Sequence, residues 1–164
     1  MSGAALADGE HRFVFTAYSN AAGGAEVIAG RYRAALEKLT SYSAASTQVD
    51  SSETDTNRCV AYSMTLQWQE ARAACDAAVR AATQQRSISP AWWSSAPPPD
   101  DDYVALAYAN RAVMYWLSQN EAAAQKDLAQ AQELSPQADF VARNVAALKV
   151  HRAVALAAAT APKS

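Results

Sequence analysis

The chain has 164 residues with 14 basic and 16 acidic side chains, a formal net charge of −2, and no basic cluster interleaved with aromatics, which argues against a nucleic-acid surface. Hydrophobic residues at 51% against 18% charged place it among chains that bury a core, at a length suited to one domain. Abundant alanine, scarce glycine and no pair of alternating segments favour helices over strands, and no apolar run approaches the roughly 20 residues that a membrane-spanning helix needs.

Residues 1–16 read as an N-terminal arm. Met1-Ser2-Gly3-Ala4 has neither a basic start nor an apolar core, so no signal peptide is visible; the same start also suits the trimmed end of an exported protein, which leaves a cytoplasmic and a periplasmic location both open. Phe13, Val14 and Phe15 would be costly if left in water, so His11 to Tyr18 is expected to pack on the body of the protein, as a strand-like arm or as the lead-in to a helix. A helix is expected from about Ala17 to Ala29, a turn at Gly30, and a second helix over Arg31 to Tyr42. Ser43 to Thr56, rich in Ser, Thr and Asp, reads as a loop with a helix start near its end. Asn57 to Thr83 reads as a second helical pair turning near Thr65 to Gln67. An insertion over 84–103 follows, where Pro90 and Pro97-Pro98-Pro99 forbid a continuous helix and the triple proline suits a short polyproline II rod. Trp92 and Trp93 in this loop either cover the end of the second hairpin or form a recognition contact.

The clearest unit runs from Ala105 to Pro136. Asp100, Asp101 and Asp102 precede a first helix and suit the positive end of its dipole. Tyr108, Arg111, Ala112 and Tyr115 keep a three- and four-residue rhythm, Ser118-Gln119-Asn120 break it, and Ala124, Leu128 and Ala131 resume it before Pro136. This pattern resembles the tetratricopeptide repeat, with Arg111 where the family usually has Leu. Cys59, Tyr62, Ala71, Cys75 and Ala78 repeat it 53 residues earlier, and Gly23, Ala35, Leu39 and Tyr42 repeat it a further 36 earlier, with the large Tyr42 in place of an alanine. Ala146 lies 34 beyond Ala112, so Ala138 to Ala159 reads as a terminal helix covering the last apolar face. The resemblance implies an all-α fold, an α-α superhelix of tetratricopeptide-repeat-like stacked helical hairpins over 17–160. Its repeats would lie at about 17–49, 52–85 and 105–138, with a capping helix over 139–159.

Little in the chain suggests chemistry. His11 and His151 fall in different elements without ligand-spaced neighbours, no nucleophile has a recognisable base, and Gly23-Gly24 suits close helix packing better than a phosphate cradle. No catalytic residue, metal or cofactor is assigned, and the chain is not expected to be an enzyme. Cys59 and Cys75 face each other across one hairpin, either as two small buried thiols or as a disulfide that would favour an oxidising compartment.

Asn57, Asn110 and Asn144 each stand two residues before the small crossing residue, and an amide can both donate to and accept from an extended backbone. In the family such positions line the concave groove. The resemblance therefore implies a binding wall of Asn57, Val60, Met64, Asn110, Val113, Leu117, Phe140, Arg143, Asn144 and Ala147, with Thr56, Ala109 and His151 beside them. The alternative for the asparagines is a bond to a neighbouring helix. The expected function is a non-catalytic module that binds a peptide or partner protein, without nucleic acid and without a membrane span. The alternative is a structural or assembly subunit of an envelope or periplasmic complex that uses the Trp-containing insertion. The arm itself has two further placements open to it, in its own groove as an autoinhibited state or in a neighbour's as a homodimer.

Overall fold

The computed structural model describes residues 12–45, 52–87 and 101–160, and among these the chain is all-helical, with no strand. The helices are α1 (Gly24–Ile28), α2 (Tyr32–Ala45), α3 (Ser52–Met64), α4 (Trp68–Ser87), α5 (Asp101–Leu117), α6 (Glu121–Leu134) and α7 (Asp139–Thr160). Contacts run between successive helices, and α3 also meets α5 while α5 meets α7.

Three hairpins share one turn. After α1, Gly30 donates to the Val27 carbonyl and Arg31 to that of Glu26, at 3.0 and 2.8 Å. After α3, Leu66 donates to Ser63 and Gln67 to Tyr62; after α5, Gln119 donates to Trp116 and Asn120 to Tyr115. This is the Schellman arrangement, which satisfies the last free carbonyls of a helix and requires a left-handed residue just past its end. Gly30, Leu66 and Gln119 are that residue, at φ 71°, 60° and 64°. They lie 36 and 53 residues apart, the same offsets as the small residues Gly23, Cys59 and Ala112.

Each of those small residues meets a partner 16 positions on. A Cβ added at Gly23 would come within 2.9 Å of Leu39. Cys59 and Cys75 are joined in a disulfide with Cα atoms 4.6 Å apart, so of the two states open to them the structure has the bonded one. Ala112 and Leu128 share a buried cluster with Leu148 of α7. Small side chains at these points let helix axes approach toward the low end of the usual roughly 8–10 Å. Further clusters join one hairpin to the next, Cys59, Ala71, Ala74 and Cys75 with Met114, and Ala78, Val79 and Ala82 with Val104 and Ala107.

Arg111, the residue that departs from the repeat pattern, joins three helices. Its guanidinium donates two bonds to Asp127 of α6, at 2.6 and 2.9 Å, and one to Asp76 of α4 at 2.8 Å. It also lies over the rings of Tyr108 and Tyr115. Burial alone would lower its pKa, but the bonds and attraction to Asp127, then Asp76, outweigh this and hold it above the ordinary arginine value.

Several boundaries differ from those expected. The helix expected over 17–29 is only α1, because Gly23 is left-handed at φ 71° and a Cβ at Gly24 would sit 1.8 Å from the Tyr18 carbonyl oxygen, so the chain is turning there. The expected loop over 43–56 is helical at both described ends, since α2 runs to Ala45 and α3 starts at Ser52. Thr56 is buried and its hydroxyl donates back to the Ser52 carbonyl at 2.7 Å, so polar residues face the interior here without an apolar rhythm. Asp101 and Asp102 are the first turn of α5 rather than its approach, and Asp102 accepts a bond from the Ser135 hydroxyl. The insertion is shorter than 84–103 at both ends, as Gln84 to Ser87 complete α4 and Asp101 to Tyr103 open α5; Trp92 and Trp93 lie outside the described residues.

Candidate functional site

α3, α5 and α7 each place one asparagine amide on a common face. Asn57, Asn110 and Asn144 are 0%, 2% and 0% exposed. A buried amide that lacked partners would cost several kcal/mol, roughly 2–7 by transfer measurements, so all three must be satisfied.

Their partner is the arm. The Asn144 Oδ1 accepts from the Val14 N–H at 2.7 Å while its Nδ2 donates to the Val14 carbonyl at 3.0 Å. Asn110 does the same to Thr16, at 2.9 and 2.7 Å. Asn57 does the same to Tyr18, at 2.9 and 3.0 Å, and its Nδ2 donates also to the Ala22 carbonyl at 3.0 Å. The amide orientation follows from these pairs, because a flipped group would set NH₂ against N–H and oxygen against oxygen.

Contacts to residues 14, 16 and 18 show the arm to be extended, since only a two-residue period turns alternate backbone groups to one side. The chain here runs from α7 across α5 to α3, opposite to the order of the helices. The odd-numbered side chains pack inward. Phe13 joins the cluster of Ala112, Leu128 and Leu148, with its ring 5.2 Å from Trp116 and stacked 5.6 Å from His151. Phe15 and Ala17 join Val27, Ala35, Val60 and Ala61. The Tyr18 ring lies 5.5 Å from Tyr103. Burial raises both phenols, with added repulsion from Glu53; Tyr103 is pushed up to about 12 and Tyr18 is raised further, so both stay neutral at ordinary pH.

The other residues expected on the wall divide into three groups. Val60, Val113 and Ala147 are buried, as are Thr56 and Ala109, so they form the interior beneath the face rather than its free surface. Met64 and Leu117 are exposed at 40% and 42%. Phe140 is half-buried against Ala105, Ala109 and Val141, and Arg143 is exposed with a long 3.9 Å pairing to Asp139. Trp116 was not singled out from the sequence. The usable signal was the alternation of Phe13, Phe15 and Ala17 within the arm, which asks for apolar partners at regular intervals.

An open hollow of about 770 Å³, lined by residues including Gly30, Arg31, Arg33, Met64 and Leu66, has no ladder asparagine in its lining. Among the described residues no group of three or more His, Cys, Asp or Glu could hold a metal ion, and no helix is long and apolar enough to cross a membrane. Comparison with protein-family models, curated proteins and solved structures finds no match.

Proposed function

We propose that this chain is a non-catalytic protein-interaction module of stacked tetratricopeptide-like hairpins, which binds an extended peptide or partner segment in a groove formed by α3, α5 and α7. The observation that carries this reading is that three buried asparagines each engage both backbone groups of one residue, at every second residue of an extended chain. Backbone recognition of this kind does not depend on side chains, so what it does to the arm it can do to another extended chain. The common turn and the common crossing pair, both at offsets of 36 and 53, support the repeat organisation. The Cys59–Cys75 bond supports placing the module in an oxidising compartment.

The test begins by loosening the arm. Thr16→Pro removes the N–H that Asn110 accepts while leaving the extended backbone allowed. The Thr16→Pro chain, immobilised and offered a degenerate mixture of peptides, is expected to retain a subset, and adding Asn110→Ala is expected to abolish retention. Retention that ignores Asn110 would defeat the proposal.

A further inference from the structure

We propose that the groove's exchangeable ligand is a partner segment of the pattern aromatic–x–aromatic–x, which takes the place of residues 13–16 while Tyr18 stays fastened. This rests on the groove reading above and adds the ligand's side-chain code, its direction and the part of the arm that leaves.

The two ends of the arm are held differently. At Tyr18, Asn57 bonds the Tyr18 N–H, the Tyr18 carbonyl and the Ala22 carbonyl together, closing the turn into α1. Gly24 approaches that same Tyr18 carbonyl so closely that no side chain fits between them. Removing Tyr18 would therefore undo a turn as well as a contact. Among the described hydrogen bonds, those to Val14 and Thr16 close no turn of this kind. Each is held by one asparagine whose two bonds an incoming backbone reproduces atom for atom.

Side-chain selectivity enters at the alternate positions. The first aromatic completes a three-ring group with Trp116 and His151, against Leu148, and the second lies on the cluster of Val27 and Val60. A flat ring suits the first position because it stacks within 5° of the His151 plane. The intervening side chains, Val14 and Thr16, are half-buried but join neither of the buried clusters that receive Phe13 and Phe15, so selection falls on the two aromatic positions. An entering segment that runs from α7 toward α5, as the arm does, meets both amides as they stand, whereas a reversed one needs Asn144 and Asn110 each to turn its amide over.

The probe is a fluorescein-labelled, capped peptide copying residues 9–16, titrated by anisotropy against the full chain, Thr16→Pro and Phe13→Ser, with thermal melting to confirm folding. Both variants are expected to bind the probe at least about tenfold more tightly than the unaltered chain. Alanine at either aromatic of the probe is expected to cost about tenfold or more, and threonine at the valine to change little. In the unaltered chain, saturating probe is expected to speed amide exchange at Val14 and Thr16 about tenfold and leave Tyr18 unchanged, a readout that needs no variant.

Equal affinity across the three chains, indifference to the aromatics, or release of Tyr18 together with Val14 would overturn the proposal. So would dimers formed by arm exchange in the loosened variants, since the occupant would then be a second copy. If a degenerate peptide mixture is retained through Asn110 but this probe is not, the aromatic code fails and the groove reading survives; if neither is retained, both fail.

Discussion

The second and third hairpins have the same turn and the same 16-residue spacing between their crossing residues, yet they are secured by different chemistry. Between α3 and α4 the crossing pair is a covalent bond, Cys59–Cys75. Between α5 and α6 the same two positions are Ala112 and Leu128, sealed by Leu148 from α7. The equivalent arginines differ as well. Arg58 bonds Asp55 on its own helix, at 3.1 Å, and the Leu39 carbonyl, whereas Arg111 reaches two other helices. The backbone arrangement thus sets a distance to be filled and leaves the means open. Both hairpins have a neighbour on each side; the third is secured by packing and buried charge, the second by a link that holds with or without those neighbours.

The most damaging way to break this comparison is Arg111→Ala. It strands Asp127, which is 4% exposed, without its bidentate partner, and the expected loss is about 3–5 kcal/mol in urea unfolding. A loss under about 1 kcal/mol would mean that the third hairpin does not depend on its ion network. Next comes reduction of the disulfide, expected to cost about 3 kcal/mol for a loop of this length. The Cys59→Ala, Cys75→Leu double variant copies the third hairpin's pair and should lose less than the reduced protein. Mass spectrometry of unreduced protein showing two free thiols would remove the contrast altogether.

The turns give a smaller and sharper test. Leu66 and Gln119 hold left-handed backbones that Gly30 adopts freely. Leu66 is 67% exposed, so little packing is lost in Leu66→Gly, which should stabilise the protein by about 0.5 kcal/mol after the added flexibility of the unfolded chain is counted. Gly30→Leu should move stability the opposite way, because there is open space for a side chain and only the backbone angle opposes it. The last test is alkaline. The folded chain keeps Tyr103 protonated up to about 12 against 10.0 for the free phenol, and Tyr18 beyond that. The stability from holding these phenols neutral is fully present below pH 10 and declines as pH rises through the folded values. Tyr103→Phe should flatten that decline in melts taken between pH 9 and 12.

The all-helical architecture was readable from composition, and the two offsets were readable because alanine, cysteine and glycine mark where helices touch. The three asparagines stood out from the same register, although their partner lies up to 130 residues away in sequence and no local pattern names it. What the sequence hid follows from physical causes. Ser52, Thr54 and Thr56 look like loop residues yet are buried in α3, where a hydroxyl can bond its own helix and needs no apolar rhythm. Gly23 and Gly24 look compatible with helix until the Tyr18 carbonyl occupies the space that a side chain would need. Arg111 looked like a lapse from the repeat pattern because Asp76 and Asp127 sit 35 and 16 positions away, on other helices.

The Asn57 fastening has a quantitative consequence for any rival of the arm. A segment tied beside its own site is present there at an effective concentration on the order of millimolar, whatever the protein concentration. A free competitor must therefore bind with an intrinsic affinity well below that figure, or arrive with a second point of attachment, before it holds the site for an appreciable fraction of the time. Under the exchange proposed above, the tether sets a threshold that screens out weak and transient encounters.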